Sequence, residues 1–251
     1  MIYTVTLNPA LDKTVQIPSF RLSEVNRISA MRTDPGGKGI NVSKVLRELG
    51  EPSVAAAILG GAAGRKIESA LRALGIEGMY LFTGHETRTN LKIVDPTLHT
   101  NTDVNEPGAP ADEAVLSKLL TQLTDRLRPG DLVVLSGKAP AGAPDTLYRD
   151  WILACRAAGA AVYLDAEGEL LRQGVTAGPA LIKPNQAELS GVMGRPLTTE
   201  DETIRAAQAA GAGRRLRGRD DGRGRRAFVL GGLRAALRKP VRAGRQHGRR
   251  G

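Results

Sequence analysis

The chain of 251 residues has a single cysteine, Cys155, so no disulfide can form within it and a reducing compartment suits it. Aromatic residues are sparse, at 3% of the total. No run of about 18 apolar residues occurs, which argues against a membrane-spanning helix. The opening Met1-Ile-Tyr-Thr-Val5 lacks a basic n-region, so no signal peptide is expected and the expected location is cytoplasmic. Three scattered histidines, His85, His99 and His247, give no zinc constellation with one cysteine. No G-x-x-x-x-G-K-[ST] loop is present, and Ser136-Gly137 lacks a G-x-S-x-G context, so neither a Walker A site nor a hydrolase elbow is supported.

What is present is a globular composition, 41% apolar and 25% charged, at a length that suits one large domain or two modest ones. The formal charge of +10 suggests a nucleic-acid binder until it is divided along the chain. Residues 205–251 hold fourteen Arg and one Lys against Asp220 and Asp221, whereas residues 1–204 hold 21 bases and 24 acids. The basicity therefore belongs to the tail, and the body gives no electrostatic reason to bind DNA or RNA.

Short apolar runs alternate with segments of helical period, the signature of βαβ units around a parallel sheet. Strands are expected at 2–7, 55–59, 131–135, 161–164 and 180–182. Helices are expected at 39–49, 64–74, 114–127 and 144–158. In the first helix Ile40, Val42, Val45, Leu46 and Leu49 form the expected buried side. Residues 13–33 and 88–104 alternate apolar and polar residues without a helical period, which predicts a small antiparallel sheet outside the main one. Such an excursion serves as a lid or as a dimer contact.

Asp34-Pro-Gly-Gly-Lys-Gly-Ile-Asn41 places three glycines around Lys38 just before a helix. Missing Cβ atoms let backbone approach a ligand, and a helix N-terminus attracts anions; a plain strand-to-helix turn reads the same way. Asp12 follows the first strand, where open α/β sheets bind ligands, and it suits sugar hydroxyls or a turn cap. Thr87-Arg-Thr-Asn90 sets a guanidinium beside hydroxyl and amide groups, a combination suited to phosphate. Asn185 and Glu188 stand three residues apart, able to hold Mg²⁺ through its waters or to form a helix capping box.

Together Leu7-Asn-Pro-Ala-Leu-Asp12, Gly36-Gly-Lys-Gly-Ile-Asn-Val42, Thr87-Arg-Thr-Asn90, Asn105-Glu-Pro-Gly108, Leu135-Ser-Gly137 and Lys183-Pro-Asn-x-x-Glu188 resemble the 1-phosphofructokinases of the ribokinase/PfkB superfamily. Tagatose-6-phosphate kinases are near relatives of that family. The resemblance implies a ribokinase-like, doubly wound, mostly parallel α/β fold over residues 1–204 with a small β-sheet lid. It implies ATP-dependent phosphorylation of fructose 1-phosphate to fructose 1,6-bisphosphate, with tagatose 6-phosphate and fructose 6-phosphate as alternative substrates. By matching position, Asp12, Gly37, Lys38 and Asn41 would grip the sugar and Arg88 and Asn90 its phosphate. Lys183, Asn185 and Glu188 would serve ATP, with Asn185 and Glu188 reaching Mg²⁺ through water. A homodimer through the lid is a further expectation. Lys138 stands where the family usually has Ser, which bears on a local phosphate contact.

The family pattern continues with a glycine-rich nucleotide turn and a Gly-Ala-Gly-Asp motif whose Asp is the general base and whose backbone forms an anion hole. Neither run occurs in these 251 residues, so no catalytic base is assigned. A one-base frame change in codons chosen for residues 245–251 restores Gly-Ala-Gly, and the same treatment of 219–228 yields a glycine-rich turn. The tail is therefore expected to be an Arg/Gly-rich, disordered product of a shifted frame, the fold to lack its C-terminal part, and the chain to have negligible kinase activity and low solubility. A relic body with a nucleic-acid-binding tail is the competing reading.

Overall fold

The computed structural model describes residues 1–110, 112–210 and Val229–Leu230. The first apolar run forms β1 (Ile2–Thr6), and the chain then leaves the main layer to make β2 (Ala10–Gln16) and β3 (Ala30–Gly36). It returns through α1 (Lys38–Glu48), β4 (Ser53–Gly60), α2 (Gly61–Ala73) and β5 (Glu77–Thr83). A second excursion makes β6 (Thr89–Asp95) and β7 (Thr100–Asn105). The rest alternates: α3 (Glu113–Arg126), β8 (Leu132–Ser136), α4 (Leu147–Ala157), β9 (Ala161–Asp165), α5 (Gly168–Thr176) and β10 (Leu181–Ile182). Helices α6 (Gln186–Met193) and α7 (Glu200–Ala210) follow, and β11 (Val229–Leu230) pairs antiparallel with β10.

The main sheet runs β11-β10-β9-β8-β1-β4-β5, parallel except at β11. Alternate residues of each strand serve opposite helical layers, as the two-residue period of a strand requires. Tyr3, Val5, Val54, Ala56, Val133, Leu135, Val162 and Leu164 meet α3, α4 and α5 in the larger core, together with Trp151 and Cys155. Burial pushes the Cys155 thiol up to about 12, so it is an inert packing residue. Ala55, Ala57 and Leu59 face the other way and pack with Ile40, Ile67 and Leu71 of α1 and α2. From β1 the chain winds through β4 to β5, and later from β8 through β9 to β10 on the opposite side. The reversal between β1 and β8 opens a crevice at the carboxyl ends of those strands.

Three differences from the sequence expectations have physical causes. Val45 and Leu49 are 53% and 71% exposed, not buried, because α1 turns Ile40 and Ser43 to the sheet. The Ser43 hydroxyl sits in a buried network with Thr4 and Ser53, at 2.7 and 3.0 Å, which fixes that rotation. The lid sheet, ordered β3-β2-β6-β7, is mixed: β2 pairs parallel with β6, and the other pairs are antiparallel. Its two halves enter from separate excursions, one leaving the carboxyl end of the central strand β1 and the other that of the edge strand β5. The composition break placed after residue 204 falls inside α7, which continues to Ala210. Apart from Val229–Leu230, the basic stretch from 211 onward lies outside the described residues, and with it the expectations about disorder, a shifted frame and nucleic acid. No helix among the described residues is long and apolar enough to cross a membrane.

Candidate functional site

The crevice is built around the glycines between β3 and α1. A Cβ on Gly39 would lie 2.5 Å from both Thr6 Oγ1 and the Val5 carbonyl oxygen. Only glycine lets α1 press its first turn onto the end of β1, where the Ile40 N–H donates to Thr6 Oγ1 at 2.9 Å. Gly37 takes φ 118°, which other residues rarely adopt, and stands as the N-cap of α1.

Asp12 lies opposite Asp34 in β3 and Asn90 in β6, so three chain segments meet in one row of the lid. Asn90 Nδ2 donates to Asp12 Oδ1 at 2.9 Å. Asn90 Oδ1 is buried and accepts no hydrogen bond. A buried acceptor without a donor is costly, and a hydroxyl supplied by a ligand would satisfy it. The row opens on a cavity of about 530 Å³ lined by Asp12, Asp34, Asn90, Lys92 and Asp103, with Lys44 from α1 on the other wall. The next row carries Arg32, which pairs with Asp34 at 3.3 Å, and Lys92, which pairs with Asp103 at 3.6 Å.

Arg88 points elsewhere than at this cavity's polar row. Its Nε, Nη1 and Nη2 donate to the backbone carbonyls of Pro9, Glu106 and Asn8, at 3.3, 3.0 and 3.2 Å. Burial lowers its pKa from the ordinary guanidinium value, opposed by the nearby Asp12 and Glu106, and an Arg remains charged regardless. It fastens the loop after β1 to the loop after β7 and lines a second, smaller pocket with Asn8, Gly60 and Pro110. Asn41 is exposed on α1, its Oδ1 3.5 Å from Lys44 Nζ.

Across the crevice Lys38 Nζ and Lys183 Nζ both reach Asp165 Oδ1, at 3.3 and 3.0 Å. Asp165 ends β9, and no motif in the sequence singled it out. The only signal was its place after an apolar run, the same rule that picked out Asp12. Lys138 pairs with Glu167 at 3.0 Å.

Asn185 and Glu188 form a reciprocal capping box on α6: the Glu188 N–H donates to Asn185 Oδ1 and the Asn185 N–H to Glu188 Oε2, both at 2.8 Å. Among the described residues no group of three or more His, Cys, Asp or Glu side chains could hold a metal. The box engages Asn185 Oδ1 and Glu188 Oε2 and leaves Glu188 Oε1 as the oxygen it does not use.

The family model for pfkB carbohydrate kinases matches residues 5–216. A 1-phosphofructokinase of Rhodobacter capsulatus is 38% identical over 216 residues, 84% of this chain and 68% of that protein. A tagatose-6-phosphate kinase of Staphylococcus epidermidis is 32% identical, covering 82% of this chain and 67% of that protein. The crystal structure of phosphofructokinase-2 from Escherichia coli in complex with fructose-6-phosphate superposes with a TM-score of 0.79 at 31% identity, over 83% of this chain and 69% of that one. The chain thus spans about two thirds of the length of these relatives.

Proposed function

Because the chain belongs to the pfkB family of carbohydrate kinases, we propose that its crevice takes fructose 1-phosphate as acceptor and ATP as phosphoryl donor, the product being fructose 1,6-bisphosphate. The observation that carries this reading is the buried, unpartnered Asn90 Oδ1 beside Asp12. One sugar hydroxyl can donate to Asn90 Oδ1 and a neighbouring hydroxyl to the Asp12 carboxylate, so the pair offers two acceptors side by side to a polyol. Several relatives at 33–38% identity carry the name 1-phosphofructokinase, and this favours the 1-phosphate over the 6-phosphates.

In this reading Asp12 and Asn90 orient the ring hydroxyls, while Gly37 and Asn41 set the backbone and an amide against them. Lys38 attracts the anionic side of the acceptor. Arg88 supports the sugar phosphate chiefly by fixing the loops around it, with the N–H groups left over from its carbonyl contacts available to the phosphate. Lys183 neutralises the phosphate chain of ATP, and Asn185 and Glu188 would hold Mg²⁺ through its waters, where the ion would screen that chain's charge. The hydroxyl that attacks must lose a proton. The family pattern gives that task to an Asp in Gly-Ala-Gly-Asp, a run these 251 residues do not contain, so a polypeptide of this sequence transfers phosphate poorly.

A second copy of the chain is the proposed partner of the lid. Leu22 and Val25 are each 84% exposed, and Ile28, Met31 and Val104 are more than half exposed on the same small sheet and its connecting loop. Apolar side chains gathered so densely favour a lid-to-lid contact.

The test is calorimetric titration of the chain with fructose 1-phosphate, fructose 6-phosphate and tagatose 6-phosphate in turn. Fructose 1-phosphate should bind tightest. Tighter binding of tagatose 6-phosphate would move the assignment to that sugar, and no binding of any of the three would overturn it.

A further inference from the structure

We propose that Asp165 is a resident counter-ion that occupies Lys38 and Lys183 together and competes for both with one incoming phosphate group. The inference rests on the sugar kinase reading, because it names what the two lysines await. A single carboxylate oxygen, Asp165 Oδ1, receives Lys183 Nζ at 3.0 Å and Lys38 Nζ at 3.3 Å. The two cations come from opposite walls of the crevice. Lys38 opens α1 just after the glycine turn on the sugar side, and Lys183 follows β10 at the start of the stretch that leads into the Asn185–Glu188 box.

Two ammonium groups converging on one oxygen repel each other and stay together only while a negative charge lies between them. Asp165 is well placed to supply it. Its side chain is 15% exposed and that of Lys183 19%, so solvent screens this pair weakly, whereas Lys38, 44% exposed, is the more solvated of the two cations. Its backbone is fixed as well, since the Gly137 N–H donates to the Asp165 carbonyl at 2.8 Å and the Lys183 N–H to the Leu164 carbonyl at 3.2 Å. The neighbouring Lys138–Glu167 pair is neutral, so the trio carries one uncompensated positive charge. A phosphate oxygen entering from the crevice can take both lysines, and Asp165 then becomes the like charge that the phosphate must face.

This arrangement fixes a sign. A residue that merely supported the fold would weaken anion binding when replaced, whereas removal of a competing counter-ion strengthens it. Inorganic pyrophosphate, titrated calorimetrically into the full 251-residue chain, is the probe. Asp165→Asn should bind it on the order of tenfold more tightly than the native chain. Lys38→Met in the Asp165→Asn background should abolish the gain, and Asp165→Glu should restore the native affinity. Equal or weaker pyrophosphate binding by a folded Asp165→Asn protein overturns the inference. Should that variant fail to fold, Asp165→Ser is read by the same sign: tighter pyrophosphate binding supports the inference and equal or weaker binding overturns it. Failure of the native chain to bind either ATP or a sugar phosphate would overturn the kinase reading instead, which keeps the two failures distinct.

Discussion

A Cβ built on Gly36 would lie 2.1 Å from Asp12 Oδ2, so the glycine at the end of β3 is what allows the carboxylate to lie across the lid toward Asn90. The contact is backbone against side chain, and it ties the last lid strand before α1 to the residue proposed to orient the sugar. Gly36→Ala should therefore swing Asp12 off Asn90. The expected result is a loss of fructose 1-phosphate affinity of about tenfold or more, with a stability cost of about 1–3 kcal/mol from overpacking. Calorimetry and urea unfolding measure the two separately, and unchanged affinity would remove Asp12 from the site.

Arg88 serves three backbone carbonyls at once, a task for a planar fork of donors and not for a point charge. Arg88→Lys should accordingly lower stability by about 2 kcal/mol although the charge is kept. A urea midpoint equal to that of the native chain would contradict the fastening role.

Asn185 has two tasks that substitution can separate. Asn185→Ala removes the cap of α6 and should cost about 1 kcal/mol, while Asn185→Asp preserves the cap. If Asn185 also reaches Mg²⁺ through water, Asn185→Asp should alter the Mg²⁺ dependence of ATP binding at unchanged stability. ATP titrations at several Mg²⁺ concentrations would reveal a purely structural Asn185 by showing no such change.

Asp95 controls how the lid responds to acid. Burial pushes its carboxyl up, but backbone N–H groups of Leu98, Phe20, Ser19 and Thr97 outweigh this and hold it below the usual carboxylate value. A group with a depressed folded pKa contributes stability above its unfolded value, about 3.9, and that contribution is lost as pH falls through the folded value. The loop around residues 18–29 should thus become cleavable by an acid-active protease below about pH 4. In Asp95→Asn the cleavage rate should depend much less on pH, and an unchanged acid limb would contradict the assignment.

Turnover tests the missing base. A polypeptide of these 251 residues should phosphorylate fructose 1-phosphate at least about 10²-fold more slowly than a relative carrying the Gly-Ala-Gly-Asp run. A coupled assay giving comparable rates would require another base in the crevice.

Much of the scaffold was legible because parallel strands buried on both faces read as apolar runs, as in Val54 to Leu59 and Leu132 to Leu135. β5 was not, since Glu77 and Gly78 dilute its pattern and an edge strand needs fewer apolar residues. The outward turn of Val45 and Leu49 was hidden because a polar residue, Ser43, took the buried position through hydroxyl contacts from two strands. Within the site, the glycine turn, Asp12 and Asn90 could be named from spacing and resemblance, and the fold brings Asp12 and Asn90 into direct contact. Asp165 carried only its place after an apolar run, because its two lysine partners come from α1 and from the segment after β10, far apart in the chain.

The most direct test of a sugar site at Asp12 and Asn90 is the NMR signal of the Asn90 side-chain amide as fructose 1-phosphate is added. The account predicts a saturable shift of that amide, absent in the spectrum of Asn90→Ala. Binding of the sugar phosphate that leaves the Asn90 amide signal unmoved would contradict it.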